Sequence, residues 1–363
     1  MIPEAIRKHI TGRSSIAPLA VFRFLCGFIM LVSIIRFAAN GCIYDLYVKP
    51  DYFFAFYGFG WVTPLGEMGM YALFLGMGLA ALSIMLGYYY RIGITFFFLA
   101  FTYVELIDKT NYLNHYYFVS IVSFLLMFVP ANRSFSLDVL LNPSLRREYV
   151  PAWTINIFKL QLGLVYFFAG VAKLNPDWLL NAMPLQIWLP ANADLPIVGP
   201  LLEYTASAYI FSWAGAFYDL TIAFFLLWKR TRVLAYLAVI VFHMFTWFLF
   251  QIGMFPFIMI LCTLIFFSAD FHKKVIRFIS SLKNYLPFSL PESKHIEKKN
   301  FQLSKSMNGI ISGILIIHFV LQFLVPLRFM LYPGNLFWTE QGFRFSWRVM
   351  LMEKAGNATF HIR

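Results

Sequence analysis

Residues 160–174 read Leu-Gln-Leu-Gly-Leu-Val-Tyr-Phe-Phe-Ala-Gly-Val-Ala-Lys-Leu, and Asn175-Pro176-Asp177-Trp178 follows at once. Together with the residues before it, this run is long and apolar enough to cross a bilayer as a helix. Proline disfavours helical geometry in the residue before it, so Asn175-Pro176 should end the helix. Lys173 then stands in the last turn. An ammonium at membrane depth is costly and marks a functional site by default. A helix C-terminus also favours a cation, which could snorkel to the interface. Position alone leaves the two readings open. Gly163, Gly170 and Lys173 share one helical stripe, and glycines on a membrane helix mark the side where another helix packs closely. Lys173 is therefore expected to face the bundle interior.

Composition extends that reading to the whole chain. Its 363 residues are 60% hydrophobic and 13% charged, with a mean hydropathy of +0.70. That describes an all-α, polytopic transmembrane helix bundle. Nine spans are expected, at about 18–39, 69–90, 92–107, 115–130, 154–174, 207–228, 233–250, 252–269 and 309–331. The net charge of +12 does not signal nucleic acid, because the basic residues divide by side. With the N-terminus inside, the inner segments hold Arg7, Lys8, Arg13, Arg91, Arg133, Arg146, Arg147, Lys229, Arg230 and Arg232, and the lysines between 270 and 308. The outer segments hold few basic residues and many acids, including Asp45, Asp51, Asp177 and Glu340. This is the positive-inside pattern. The domain reading is an eight-helix membrane body (1–269), a basic inner linker (270–308), a last span (309–331) and an exoplasmic tail (332–363). The tail's Ala358-Thr359-Phe360-His361-Ile362-Arg363 alternates like the start of a strand.

On this topology Asn114, His115 and Lys173 share one depth near the outer face and are expected to line one cavity. His243 lies mid-span and Gln251 near the outer end of the same helix, as further ligand-binding candidates. Asp219 and Arg23 are read as structural ion-pair residues, since charges in membranes usually pair. Cys26, Cys42 and Cys262 fit no zinc spacing, and no metal, P-loop, zincin or serine-hydrolase motif is present. These polar groups suit an apolar ligand with a few polar atoms that enters from the bilayer, such as a quinone.

With those residues in view, the chain resembles the vitamin K-dependent γ-glutamyl carboxylase family, as a bacterial-type relative built on a horizontally transferred transmembrane domain. The resemblance runs from about Ala17 to the end. It rests on Leu19-Ala20-Val21-Phe22-Arg23-Phe24-Leu25, on Asp108-Lys109-Thr110 with Asn114-His115, and on Tyr166 to Leu174 with Asp177-Trp178. Asp219-Leu220, Phe242-His243, Ile252-Gly253-Met254-Phe255 and Gly342 to Trp347 continue it. The resemblance implies an enzyme that oxygenates reduced vitamin K, a menaquinol- or phylloquinol-type hydroquinone, to its epoxide. The strong base so formed carboxylates glutamyl side chains, with O₂ and CO₂ as co-substrates and no metal. It implies Lys173 as the amine that deprotonates the hydroquinone, and Asn114 and His115 as the groups that bind or polarise its oxygens. That role requires a neutral amine, although lysine ordinarily titrates near pH 10.4.

Two departures accompany the resemblance. Ala172 and Asn175-Pro176 stand where the carboxylase motif typically has another lysine and an acidic pair, and the large exoplasmic domain of full carboxylases is expected to be missing or truncated here. The alternatives are a quinol epoxidase or oxidase without protein carboxylation, and a non-enzymatic transporter or lipid-binding protein. Expected partners are membrane lipid, a quinone, and a glutamate-containing protein or peptide on the exoplasmic side, with no nucleic acid. A bacterial inner membrane is the expected location, ahead of the endoplasmic reticulum.

Overall fold

The structure, a computed structural model, describes residues 12–250, 252–282, 301, 304–352, 354 and 359–360. Ten helices carry the architecture. They are α1 (Ala17–Ala39), α2 (Gly66–Leu86), α3 (Tyr90–Ile107), α4 (Asn114–Leu126), α5 (Trp153–Ala172), α6 (Thr205–Leu227), α7 (Arg232–Phe250), α8 (Phe255–Thr263), α9 (Ala269–Leu282) and α10 (Lys305–Leu324). The protein is an all-α integral membrane bundle that crosses the membrane several times. Among the described residues, seven helices are long and apolar enough to do so: α1, α2, α3, α5, α6, α7 and the run Ser306–Leu331.

Nine such spans were expected, and the two that fall short are the expected segments 115–130 and 252–269. The first is the 13-residue α4, which gives way to turns before Pro130. The second is the nine-residue α8 with a further 3₁₀ turn. Gly253 lies in left-handed geometry (φ +64°) and Pro256 stands in the first turn. Proline is tolerated there but not deeper, so the helix cannot begin earlier. The stretch expected as a linker opens with α9, a helix with Lys273, Lys274 and Arg277 on its exposed side. The strand expected at 358–363 falls mostly outside the described residues.

Close backbone approaches set the helix pairs. α1 lies along α2, and α5 along α6. A Cβ on Gly27 of α1 would come within 2.3 Å of the Met85 backbone nitrogen, so only glycine allows that crossing. At the same end Arg23, fully buried, donates to the carbonyls of Ile84 and Met85 at the end of α2 and to that of Phe135. Those carbonyls are among the ones a helix terminus leaves without partners. Arg23 was expected to share an ion pair with Asp219. Instead it serves as a cap, because the fork of a guanidinium can reach several carbonyls at once. A two-stranded antiparallel ribbon, Arg13–Ser15 paired with Tyr149–Pro151, fastens the same end. α10 joins the bundle through polar contacts. His318 Nε2 lies 3.0 Å from Gln161 Oε1, Gln161 donates to Gln322 at 3.1 Å, and Gln322 donates to the Tyr117 hydroxyl at 2.7 Å. Interhelical hydrogen bonds of this kind hold helices together where lipid offers no hydrophobic driving force.

Candidate functional site

Lys173 closes α5 at the end opposite the Arg23 cap. The predicted stop is realised: Asn175 Oδ1 accepts from Trp178 N at 3.0 Å, and Pro176 opens a short helical turn, Pro176–Leu179. That turn folds Trp178 back over the helix end, where its indole Nε1 donates to the Ser212 carbonyl of α6 at 2.8 Å. The glycine stripe does what its spacing predicts. A Cβ on Gly170 would lie 2.8 Å from the Leu220 backbone nitrogen, so α6 presses against α5 there. Asp219, one residue before that contact, meets Lys173. Its Oδ2 is 2.6 Å from Lys173 Nζ, and both side chains are 7% exposed. Nζ also sits 5.3 Å from the centre of the Trp178 ring. Lys173 faces the interior, away from lipid and bulk water, but it has a counter-charge. The sequence reading placed Asp219 in a structural ion pair; the structure makes Lys173 its partner.

This pair stands on the wall of a cavity of about 470 Å³. The lining is almost wholly apolar, with Tyr166, Tyr218 and His243 as its other polar side chains of note. Nδ1–H of His243 donates to the Val239 carbonyl at 2.9 Å. A carbonyl only accepts, so in the neutral ring Nε2 is left with its lone pair free. The hydroxyls of Tyr166, Tyr218 and Thr263 converge from α5, α6 and α8. None of them makes a hydrogen bond of normal length and direction.

His115 and Asn114 do not share that cavity. They line a second one of about 450 Å³, together with Arg36, Tyr47, Glu105 and Tyr116. A thin partition separates the two: Ile252, Phe255, Val349 and Met350 line both. The Phe255 ring lies between the two histidines, 5.9 Å from His115 and 5.8 Å from His243. The single cavity expected from the sequence is thus divided, because the chain near its C-terminus returns to the body. Phe345 N donates to the Tyr112 hydroxyl at 2.9 Å, Trp347 stacks on Tyr117, and Arg348 is buried with its guanidinium over the Phe329 ring. Burial brings the Arg348 guanidinium down to about 10.

Asn114 holds this returning strap. Its Nδ2 donates to the Arg348 carbonyl at 2.8 Å, and its Oδ1 accepts from Tyr112 at 3.1 Å. Gln251 lies outside the described residues. Tyr166, Tyr218, Glu105 and Arg36, and the strap residues Val349 and Met350, were not singled out as site residues by the sequence. A tyrosine inside a membrane span was the available signal, since a buried hydroxyl normally finds a partner.

A family model described as the HTTM domain matches residues 13–271. A second, described as the lumenal domain of vitamin K-dependent gamma-carboxylase, matches residues 307–363, the last span and the strap. No solved structure matches the chain.

Proposed function

The chain belongs to the HTTM domain family and is a relative of the γ-carboxylases, and on that footing we propose that it oxygenates reduced vitamin K and uses the base so formed to carboxylate glutamyl side chains. The observation that carries this reading is a buried lysine, paired to a carboxylate, on the wall of an apolar cavity of drug-like size. Such a cavity suits a prenylated ring, and the Lys173–Asp219 pair and His243 in its wall offer polar groups for ring oxygens. Reduced vitamin K, when bound with O₂, would supply a base stronger than any side chain.

The part assigned to this chain's residues is the first proton transfer. Lys173 Nζ accepts a proton from a ring hydroxyl, and for that the amine must be neutral. Asp219 supplies the means. An apolar ligand that fills the cavity removes water, and two charges in a dry wall are then costly relative to two neutral groups. The ammonium proton can pass along the 2.6 Å contact to the carboxylate, which leaves the free amine. The neighbouring cavity is also mostly apolar, but it carries Arg36, His115 and Glu105 in its wall. Its guanidinium suits the carboxylate of a glutamyl side chain, and His115 stands there to orient or polarise the reacting group. Asn114 acts by holding the strap that divides the two chambers.

The test is to incubate purified protein with vitamin K hydroquinone, O₂, labelled CO₂ and a short glutamyl peptide, and to score epoxide and label separately. Epoxide with label incorporated is the expected result. Epoxide without label assigns the protein as a quinol epoxidase, and absence of both refutes the proposal.

A further inference from the structure

Glu105 brings a carboxyl group to the wall of the 450 Å³ cavity, close to the C-terminal end of α3. Among the described residues its side chain has no hydrogen bond and no ion pair. A carboxylate at that place is disfavoured twice. Membrane depth makes an unpaired charge costly, and the end of a helix already carries partial negative charge. The group lies within electrostatic reach of Tyr47 and Tyr116, which line the same cavity. It also borders a smaller cavity of about 290 Å³ on the Tyr112 side.

Arg36 stands in the wall of the 450 Å³ cavity, and its guanidinium too has no hydrogen bond or ion pair among the described residues. It comes from the last turn of α1, and a Cβ on Gly253 would lie 3.9 Å from its Nη1. Charges at membrane depth usually pair, yet this acid and this base line one cavity and stay apart. A ligand that carries both a carboxylate and an ammonium completes both pairs at once. Its carboxylate meets the guanidinium fork, and its ammonium meets Glu105. His115 feels the Arg36 charge, so it stands toward the carboxylate end of such a ligand.

We propose that Glu105 is the ammonium-binding residue of this cavity, and that the glutamyl unit bound there carries a free α-amine, as at the amino terminus of a peptide. This rests on the glutamyl reading of the cavity given above and adds to it the class of substrate. A glutamyl residue inside a chain presents an uncharged amide in place of the amine and leaves Glu105 without a counter-charge. Free glutamate brings a second carboxylate, for which the described wall holds no second guanidinium. An amino-terminal glutamyl residue meets both charges and adds none.

The test measures binding, with no turnover, on the protein in nanodiscs. The labelled probes are glutamyl-alanine amide with a free amine, its N-acetyl form, and free glutamate. The wild type should bind the free-amine peptide about 10- to 100-fold more tightly than the acetylated one, the worth of a charged hydrogen bond. It should also bind that peptide more tightly than free glutamate. Glu105→Gln should bind the two peptides alike, Glu105→Asp should keep part of the preference, and Arg36→Gln should weaken both peptides. Ligand-free Glu105→Gln should unfold at the wild-type temperature or above it, because an acid without a partner has been neutralised. A wild type with no preference between the peptides, or a preference that survives Glu105→Gln, overturns the ammonium site. The glutamyl reading then still stands if Arg36→Gln weakens both peptides. A drop in the ligand-free stability of Glu105→Gln assigns the carboxyl to the fold and likewise overturns the site. Tighter binding of free glutamate overturns the peptide terminus as the occupant. If neither peptide binds, or Arg36→Gln leaves both unchanged, the glutamyl reading falls and this proposal with it.

Discussion

Lys173→Ala removes the cation from a buried pair whose charged atoms are 2.6 Å apart. At an effective dielectric of about 20 the attraction is roughly 6 kcal/mol. Desolvation of both groups offsets much of that, and loss of one partner of a buried pair typically costs about 3–5 kcal/mol. The variant should therefore lose stability as well as function, since Asp219 is left uncompensated in an apolar wall. Removing Asp219 too, as Lys173→Ala with Asp219→Ala, should recover most of the lost stability. Epoxide formation should fall by about 10²- to 10⁴-fold in Lys173→Ala, the usual worth of a general base.

A small primary amine added to Lys173→Ala then separates two effects. As an ammonium it can pair with Asp219 and restore thermal stability, so that rescue should strengthen as pH falls. As a free base it can accept the hydroquinone proton, so rescue of turnover should strengthen as pH rises. Lys173→Arg should hold Asp219 and keep the stability, yet remain inactive, because a guanidinium stays charged at any usable pH. The assays are thermal unfolding in detergent and epoxide formation across a pH series with and without amine. An active Lys173→Arg, or turnover rescue that grows with the ammonium form, would refute the base assignment.

Asn114→Ala deletes the hydrogen bond that holds the strap at the Arg348 carbonyl, and a local one from Tyr112, and should cost about 1–3 kcal/mol; amide exchange across 342–352 should quicken while the other helices keep their protection. Gly170→Ala drives a Cβ into the Leu220 backbone and should destabilise the α5–α6 contact by about 1–3 kcal/mol, seen in thermal unfolding together with reduced turnover, since that contact brings Asp219 to Lys173. Glu340 is held below the usual carboxylate range, chiefly by its hydrogen bond from Lys354. Its contribution is present at neutral pH and is lost as the pH falls through its folded value, so acid should loosen the 336–354 segment to proteolysis, and Glu340→Gln should be loose at all pH values.

Much of the body was legible because membrane spans declare themselves by length and hydropathy. The end of α5 at Asn175-Pro176 and the close approach at Gly170 follow from local rules that need no knowledge of partners. The two short helices were harder: α4 and α8 are as apolar as true spans, and only the turn before Pro130 and the left-handed Gly253 shorten them. Pairing was harder still. Arg23, Lys173 and Asp219 were all visible as charges at membrane depth, but which ones meet depends on how α6 crosses α5, and nothing local encodes that crossing angle. The partition between the two cavities depends on Val349 and Met350, more than 170 residues beyond Lys173 in the chain. Ordinary apolar residues in a tail carry no sign that they will wall a site.

The Arg23 cap has a consequence for how ligands get in. It ties the end of α2 and the Phe135 turn to α1, and beside it the short β-ribbon ties residues 13–15 to residues 149–151. The opposite end carries both cavities and is closed by the strap and by aromatic contacts. The bundle is thus fastened through backbone carbonyls and a ribbon at the Arg23 end, and mainly through side chains at the cavity end. If a bulky ring enters the protein, the cavity end would yield first, and the Arg23 cap, far along the bundle from Lys173, would stay in place.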